Sequence, residues 1–302
     1  MKAKRSALIL ACALMQGWGV PVSAQAGAAG RERLVVSAAW LAEHIEDENL
    51  VLFHVGDRAE YDAGHVPGAR WITLDDVSLP RVPGTLTLQL LSVEELRSRL
   101  AARGVSDDSR IVLYWGKDRV TPVTRIMFAL DDAGLGDRAS VLDGGMPAWT
   151  SAGGAVTTAV PADRPGQLAT RPARDLVVDV DWVSDHVRSP TPGHVLVDAR
   201  DSRYYDGTEA SMGRNGHIPG AVSVPYVDLF DETFHFLGTE QLRAVFERAG
   251  VKPGDVVVTY CHIGQQASAV LFGAKLLGHE VRLFDGSMQE WAQDPSRPVV
   301  KK

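Results

Sequence analysis

The chain has 302 residues, of which 45% are hydrophobic and 23% charged, an ordinary balance for a globular protein long enough to hold two domains. The formal net charge is -7, and removal of the basic start described below would bring it to about -10. An acidic chain without a run of lysines or arginines argues against a nucleic-acid or anionic-membrane partner. It leaves room for a small anionic substrate at a local site.

The first 26 residues are typical of a secretory signal peptide. Three basic residues stand ahead of a short apolar run at 7–14: Lys2, Lys4 and Arg5. Small residues then offer cleavage after Ala24 or Ala26. The run is too short to span a bilayer and no later segment is apolar for long enough. We therefore predict a periplasmic or secreted protein without a membrane partner. Lipid attachment at Cys12 is the alternative, which the short apolar run disfavours.

The sequence repeats itself at long range. The segment Gly-His-Val-Pro-Gly-Ala at 64–69 returns as Gly-His-Ile-Pro-Gly-Ala at 216–221, and a second pair of similar segments lies at 143–149 and 285–291. A repeat of this length indicates a duplicated domain. The predicted units follow in chain order: a signal peptide at 1–26, a first domain at 30–150, a linker at 151–175 and a second domain at 176–302.

Short apolar runs alternate with helical patterns in both halves of the chain. Strands and helices are predicted in the first half at 50–55, 92–102, 111–115, 122–133 and 140–142. They are predicted in the second half at 194–198, 239–249, 256–260, 267–277 and 281–284. Ser92 and Glu95 match a Ser-x-x-Glu capping box at the start of their helix. This alternation predicts an α/β fold in which each domain has a mainly parallel sheet with helices on both faces.

Cysteine usage singles out one residue. The chain has two cysteines, and because Cys12 lies in the leader, only Cys261 would remain in the mature protein. By composition alone an inert buried cysteine is the expected interpretation. However, Cys261 follows a predicted buried strand and precedes a helix across a short polar loop. Because the N–H groups of such a loop stabilise an anion, we expect an accessible thiolate with a lowered pKa.

The chain resembles the rhodanese family. Its second half carries four segments in the family's order: Asp-x-Arg at 198–200, Gly-His-Ile-Pro-Gly-Ala at 216–221, the loop after Cys261, and Asp-Gly-Ser-Met-Gln-Glu-Trp at 285–291. The resemblance implies two rhodanese-like domains and a thiosulfate sulfurtransferase. Cys261 would take sulfur from a small anionic donor as a persulfide and pass it to cyanide or a thiol. This chemistry needs neither a metal nor an organic cofactor.

Two other functions stay open within this resemblance. The donor could be 3-mercaptopyruvate instead of thiosulfate, because the loop matches neither of the family's common loop patterns. The protein could also be a carrier that holds a persulfide for a protein partner and turns over poorly alone.

The first domain is predicted to be inactive. Trp115 occupies the place that Cys261 has in the second copy, and tryptophan is not a nucleophile. His54 stands at the place of Asp198. The resemblance implies that only the second domain is catalytic, that its site faces the domain interface, and that the first domain stabilises it and forms one wall of the pocket.

The resemblance also implies roles for residues around Cys261. Arg203 best fits the place of the arginine that binds the anionic donor, and a surface arginine is the equal alternative. Arg200 is expected to form a structural ion pair, and Asp198 to orient its neighbours rather than act as an acid or base. Three loop residues are expected to contact the donor, with solvated side chains as the alternative: His262, Gln265 and Gln266. Gly264 is expected to support the turn.

Other chemistries find less support. His65 and His217 each lie in a Gly-His-x-Pro-Gly turn, where a structural hydrogen bond is favoured over a metal site. A cysteine-based phosphatase would need an arginine six residues after Cys261, where Ala267 stands. A purely structural pair of domains is disfavoured because Cys261 is retained.

Overall fold

The computed structural model describes residues 30–117, 120–162 and 164–302. The predicted signal peptide, with Cys12, therefore lies outside the described residues. Within those ranges no helix combines the length and the apolar character needed to cross a membrane.

The first domain combines a five-stranded sheet with α-helices in the residues that the structure describes. The strands are β1 Val35–Val36, β2 Leu50–Val55, β3 Arg70–Ile72, β4 Arg110–Trp115 and β5 Ala139–Leu142. The helices are α1 Ala38–His44, α2 Arg58–Ala63, α3 Val93–Ala102, α4 Val120–Asp132 and α5 Gly145–Ser151. The strands form one sheet in the order β1-β5-β4-β2-β3, and every pair is parallel.

The second domain repeats this plan. Its strands are β6 Val177–Val178, β7 His194–Asp198, β8 Ala210–Ser211, β9 Arg214–Asn215, β10 Val222–Ser223, β11 Val256–Tyr260 and β12 Val281–Phe284. Its helices are α6 Val180–Arg188, α7 Ser202–Tyr205, α8 Thr239–Arg248, α9 Gln265–Leu276 and α10 Ser287–Trp291. The parallel sheet has the order β10-β7-β11-β12-β6, and β8 and β9 form a separate antiparallel pair.

The parallel α/β architecture predicted for both halves is confirmed. The central strands β2, β4, β7 and β11 are mostly buried, as their continuous Val, Leu and Ile runs predict for strands covered on both faces. The hydroxyl of Ser92 caps α3 by accepting the N–H of Glu95 at 3.2 Å.

The largest hydrophobic cluster is shared by the two domains. It joins residues of the first sheet and α4, such as Trp115 and Val123, to residues of α9, such as Val270 and Leu271. Helices α4 and α9 pack against each other across the domain interface. Cys261 belongs to this shared cluster. The interface is therefore part of the protein's main core and lies directly against the cysteine.

The segment that connects the domains runs along the first domain. The N–H of Gly166 donates to the carbonyl of Ala101 at 2.8 Å. The N–H of Arg174 donates to the carbonyl of Asp132 at 2.9 Å. Within the described part of 152–176 there is no regular helix or strand. Its backbone is thus held by the first domain until the chain enters β6.

Candidate active site

The candidate site lies where the two central strands of the second sheet end. Asp198 is the last residue of β7 and is paired in register with Tyr260, the last residue of β11. Cys261 follows immediately. Because β7 and β11 are parallel, the loops that follow them start at the same edge of the sheet, where α/β proteins bind ligands.

Four backbone N–H groups converge on the sulfur atom of Cys261. They belong to the loop and to the first turn of α9: Ile263, Gly264, Gln266 and Ala267. Gly264 makes this possible because its φ of +84° turns the chain into the helix. A side-chain Cβ at this position would lie 2.9 Å from Oδ1 of Asp285 and 3.0 Å from its carbonyl oxygen. The loop is therefore built around a glycine and forms a cradle for an anionic sulfur.

One detail of the predicted loop is wrong. Gln265 and Gln266, taken as loop residues, are the first two residues of α9. The helix begins two residues earlier than predicted because Gly264 supplies the left-handed turn that caps it. This earlier start brings the N–H groups of the first turn onto the sulfur.

The expected lowering of the Cys261 pKa is also wrong. Cys261 is fully buried, and burial raises the pKa of its thiol. The four N–H groups oppose this rise without cancelling it. The physical reason is that the shared core excludes water from the sulfur, so that the charged form loses its solvation. The resting cysteine is therefore protonated near neutral pH. The N–H groups of the cradle stabilise the sulfur once it carries a negative charge.

A buried ionic network lies beneath the cradle. The guanidinium of Arg200 forms a two-pronged ion pair with the carboxylate of Asp198, including an Nε–Oδ1 distance of 2.9 Å. It also donates to the carbonyl of Gly216 at 2.9 Å. The hydroxyl of Tyr260 donates to Asp198 Oδ2 at 2.8 Å. The predicted structural ion pair of Arg200 is thus confirmed, and the network fixes the end of β11 on which Cys261 stands.

The first domain carries a counterpart of this arrangement without the cysteine. His54 is paired in register with Tyr114, as Asp198 is with Tyr260. The N–H of Val66 donates to the Tyr114 hydroxyl at 3.0 Å, just as that of Ile218 donates to the Tyr260 hydroxyl at 3.1 Å. The positions match those predicted from the sequence repeat.

Trp115 changes what the first site can do. The equivalent of Ser287 in the first domain is Gly145, and a Cβ at Gly145 would lie 2.6 Å from the Trp115 ring. In the second domain Ser287 instead accepts the N–H of Cys261 at 3.1 Å through its hydroxyl. The bulky indole therefore fills the space that a serine and a reactive sulfur occupy in the second domain.

Both histidines of the repeated turns have structural roles, as predicted. Nδ1 of His65 lies 2.8 Å from the carbonyl oxygen of Tyr61, and Nδ1 of His217 lies 2.7 Å from that of Tyr205. Each imidazole also stacks on the ring of the same tyrosine. In the described part of the chain there is no cluster of three metal-ligating side chains.

Arg203 lies at the outer edge of the site. It stands on α7 with its side chain 54% exposed and is paired with Asp201 and Glu209 at 3.7 and 3.4 Å. The next residue, Tyr204, contacts His262 edge to face with ring centroids 4.6 Å apart. Arg203 is therefore connected to the loop through two aromatic side chains, and its role toward a donor stays a prediction.

His262 is held within the loop. Its Nδ1 lies 2.6 Å from the hydroxyl oxygen of Ser211 on β8. Burial, with the charge of Arg200 as the next cause, lowers the pKa of His262 to about 4. The imidazole is therefore neutral near pH 7 and is suited to hydrogen bonding rather than to charge attraction.

The two glutamines differ in their hydrogen bonding. Nε2 of Gln265 donates to the hydroxyl of Thr121 in the first domain at 3.0 Å. The Oε1 atom of Gln266 is buried and has no hydrogen-bond partner in the described part of the chain. Gln265, Thr121 and Tyr226 also line a cleft of about 450 Å³ between the domains. The predicted contacts of these side chains with a donor therefore stay predictions, and the cleft brings solvent to the outer side of the loop.

Sequence reasoning missed three residues that hold the cysteine loop: Ser287, Asp285 and Arg125. The guanidinium of Arg125, on α4 of the first domain, is fully buried and lies 2.7 Å from Asp285 Oδ1. Segment 123–130 is apolar apart from Thr124 and Arg125, and an arginine in such a segment is a signal of a buried partner, because charged side chains are almost never fully buried unless paired.

The fold and site define a tandem rhodanese-like protein. The Rhodanese-like domain model matches residues 37–152 and again 179–294. The chain therefore belongs to the rhodanese family, with one copy of the family's domain in each half.

Named relatives span the whole of this arrangement. The putative thiosulfate sulfurtransferase SseB of Mycobacterium tuberculosis is 31% identical over 89% of this chain and 97% of its own length. The sulfur carrier protein TtuD of Thermus thermophilus is 31% identical over 89% of this chain and 96% of its own. The probable 3-mercaptopyruvate sulfurtransferase of Pseudomonas aeruginosa is 35% identical over 80% of this chain and 85% of its own.

Solved structures support the same fold. Wild-type EanB superposes with a TM-score of 0.80 at 22% identity, covering 90% of this chain and 70% of its own. At this identity the likeness shows the fold alone.

Proposed function

We propose that this sulfurtransferase moves a sulfane sulfur from thiosulfate to cyanide or to a thiol acceptor through a persulfide on Cys261. The observation that carries the proposal is the convergence of four backbone N–H groups on the Cys261 sulfur. Such a cradle stabilises negative charge on sulfur without a metal or an organic cofactor. In the first domain Trp115 stands at the corresponding position, so the proposal assigns the chemistry to the second domain alone.

The transfer takes two balanced steps. In the first, the Cys261 thiolate attacks the outer sulfur of thiosulfate, an S–S bond forms at Cys261, and the bond to the inner sulfur breaks to release sulfite. In the second, cyanide attacks the outer sulfur of the persulfide, which releases thiocyanate and restores the thiolate. The intermediate is a persulfide anion, and the loop N–H groups stabilise the negative charge on its terminal sulfur.

Because the resting thiol is protonated, loading requires loss of its proton when the donor binds. Burial raises the pKa of Cys261, so a donor that excludes more water cannot by itself ionise the thiol. The N–H groups lower the cost of the thiolate, and a base in solution takes the proton. We therefore expect loading, rather than discharge, to limit turnover near neutral pH.

The donor is the open part of the proposal. Relatives of similar identity are named for thiosulfate, for 3-mercaptopyruvate and for sulfur carriage. A steady-state assay with each donor and with cyanide or a small thiol as acceptor separates these functions. Turnover with thiosulfate supports the proposal, and turnover with 3-mercaptopyruvate alone replaces the donor. A single loading without turnover indicates a carrier that serves a protein partner.

We further propose that the chain is exported and acts in the periplasm or outside the cell. The support is the basic start and short apolar run of the first 26 residues. Mass analysis of protein from the periplasmic fraction would show whether the leader has been removed. Full-length protein confined to the cytoplasm would contradict this proposal.

A further inference from the structure

The cysteine loop is clasped by the segment that follows β12. The hydroxyl of Ser287 accepts the N–H of Cys261 at 3.1 Å. The N–H of Met288 donates to the carbonyl of Cys261, and that of Gln289 donates to the carbonyl of His262, both at 3.0 Å. We call this segment, residues 285–289, the clasp. The position of the cysteine loop therefore depends on the position of the clasp.

The first domain holds the clasp at both ends. At one end, Arg125 forms a buried ion pair with Asp285. At the other, the side-chain amide of Gln289 accepts the N–H of Thr87 at 2.8 Å and donates to the Thr87 hydroxyl at 3.2 Å. The next residue, Leu88, has a φ of +59° and its carbonyl accepts a hydrogen bond from Arg125. Arg125 thus joins the strained turn at Leu88 to the start of the clasp.

The same arginine lies directly behind the cradle. A Cβ at Gly264 would lie 3.2 Å from Nη1 of Arg125, so the guanidinium lies against this glycine of the loop. Nη1 and Nε of Arg125 have no hydrogen-bond partner in the described part of the chain. Since two of its nitrogen atoms make no hydrogen bond, Arg125 is held by its ion pair and by packing. Its guanidinium limits movement of the loop at Gly264.

We propose that Arg125 is a positioning residue for the Cys261 cradle, supplied by the inactive first domain. It acts through Asp285 and Gly264, and it does not touch the sulfur. The first domain would then be needed for the chemistry of the second, because the N–H groups point at the sulfur only while the clasp and the loop are pressed together. This role deepens the proposed function, since it assumes that Cys261 is the sulfur-bearing residue.

The test measures the ionisation of Cys261 from the ultraviolet absorbance of its thiolate, with Cys261→Ser as the blank. This readout needs no sulfur donor, so it stands apart from the proposed function. The main variant is the double change Arg125→Met with Asp285→Asn, which removes the ion pair without leaving a buried charge. We expect its Cys261 pKa to rise by about one unit, corresponding to a tenfold loss of thiolate. The sulfur-loading rate should fall with it while KM for thiosulfate is kept.

Lys275→Met is the matched control. Lys275 forms another ion pair across the same interface, with Asp131, at the far end of α9 from the cradle. Asp131 keeps Arg174 as a partner at 2.8 Å. This variant should weaken the interface and leave the Cys261 pKa unchanged. The other charged or titratable groups that face the cradle are retained in both variants: Asp198, Arg200, Tyr260 and His262.

A wild-type Cys261 pKa in the double variant would overturn the proposal, as would an equal shift in Lys275→Met. If the double variant fails to fold, Arg125→Lys decides the question. Lysine keeps the positive charge but lacks the planar guanidinium, whose Nη2 contacts both Asp285 and Leu88 and whose Nη1 lies against Gly264, so the pKa should rise by less than one unit. An unchanged pKa and loading rate in Arg125→Lys would then contradict the positioning role.

Discussion

The hydroxyl of Ser287 lies 3.1 Å from the backbone nitrogen of Cys261 and donates to the carbonyl of Phe284 at 3.0 Å. Ser287 therefore connects the end of β12 to the residue that follows β11. Its φ of +51° is the left-handed conformation that a serine adopts at a cost. The first domain has Gly145 at this place with a φ of +55°, so the turn is common to both domains and the hydroxyl is particular to the second.

Replacement of Cys261 by serine should abolish sulfur transfer and preserve the fold. Serine is close to cysteine in size, so the buried cluster around position 261 stays filled. Loss of a covalent nucleophile should reduce turnover to below about a tenth of wild type. Steady-state thiocyanate formation measures this, together with a thermal unfolding curve as the control for folding. Turnover above that level would remove Cys261 from the mechanism.

Replacement of Gly264 by alanine should damage both stability and sulfur loading. The added methyl group would meet Asp285 at 2.9 Å and would force the loop out of its left-handed turn. Gly254 offers a matched control, because it has a similar φ of +88° with no atom within 4 Å of its Cβ position. Urea unfolding should show Gly264→Ala to be less stable than Gly254→Ala by about 1–3 kcal/mol. Equal costs would show that the contact with Asp285 is unimportant.

Replacement of Arg203 by alanine should weaken donor binding with little effect on stability. Its side chain is 54% exposed and its ion pairs are long, so the unfolding free energy should change by less than about 0.5 kcal/mol. Loss of one charge-assisted contact should raise KM for thiosulfate by about tenfold. Arg188→Ala is the control, since that arginine is 72% exposed on α6. An unchanged KM would identify Arg203 as a surface residue outside the site.

Acid should destabilise the protein through histidines that burial keeps neutral, of which His54 and His262 have the largest pKa shifts. Burial, with a smaller effect of His65, lowers the pKa of His54 from 6.5 to about 4, and burial lowers that of His262 to a similar value. Below pH 6.5 these histidines become protonated in the unfolded chain, whereas in the folded chain they stay neutral until about pH 4. The unfolding free energy should therefore fall as the pH drops through this window.

Urea unfolding at several pH values between 4 and 7 checks this dependence. The variant His54→Gln should show a shallower fall than wild type, because the proton that His54 takes up on unfolding is lost. An identical pH dependence in wild type and variant would contradict the assignment to His54.

Much of the fold follows from local pattern. The apolar runs at β7 and β11, and the helical spacing of Leu242, Val245 and Phe246 on α8, are properties of adjacent residues. The repeated Gly-His-x-Pro-Gly turns likewise predict two similar domains. The absence of a nucleophilic cysteine from the first site also follows from the sequence, because the repeat aligns Trp115 with Cys261.

The parts that sequence could not give depend on contacts between distant segments. The raised pKa of Cys261 comes from its complete burial, which the shared core between the domains produces. Arg125 and Asp285 are 160 residues apart, so no local pattern pairs them. A strand–cysteine–helix pattern predicts the N–H groups that favour a thiolate. It does not predict how far a second domain removes that thiolate from water.

The most direct test of the persulfide mechanism is the intact mass of the purified protein before thiosulfate, after thiosulfate, and after subsequent cyanide. The persulfide mechanism predicts a mass gain of one sulfur atom with thiosulfate, which cyanide removes and which is absent in Cys261→Ser. No gain with thiosulfate or with 3-mercaptopyruvate, or a gain that persists in Cys261→Ser, would contradict it.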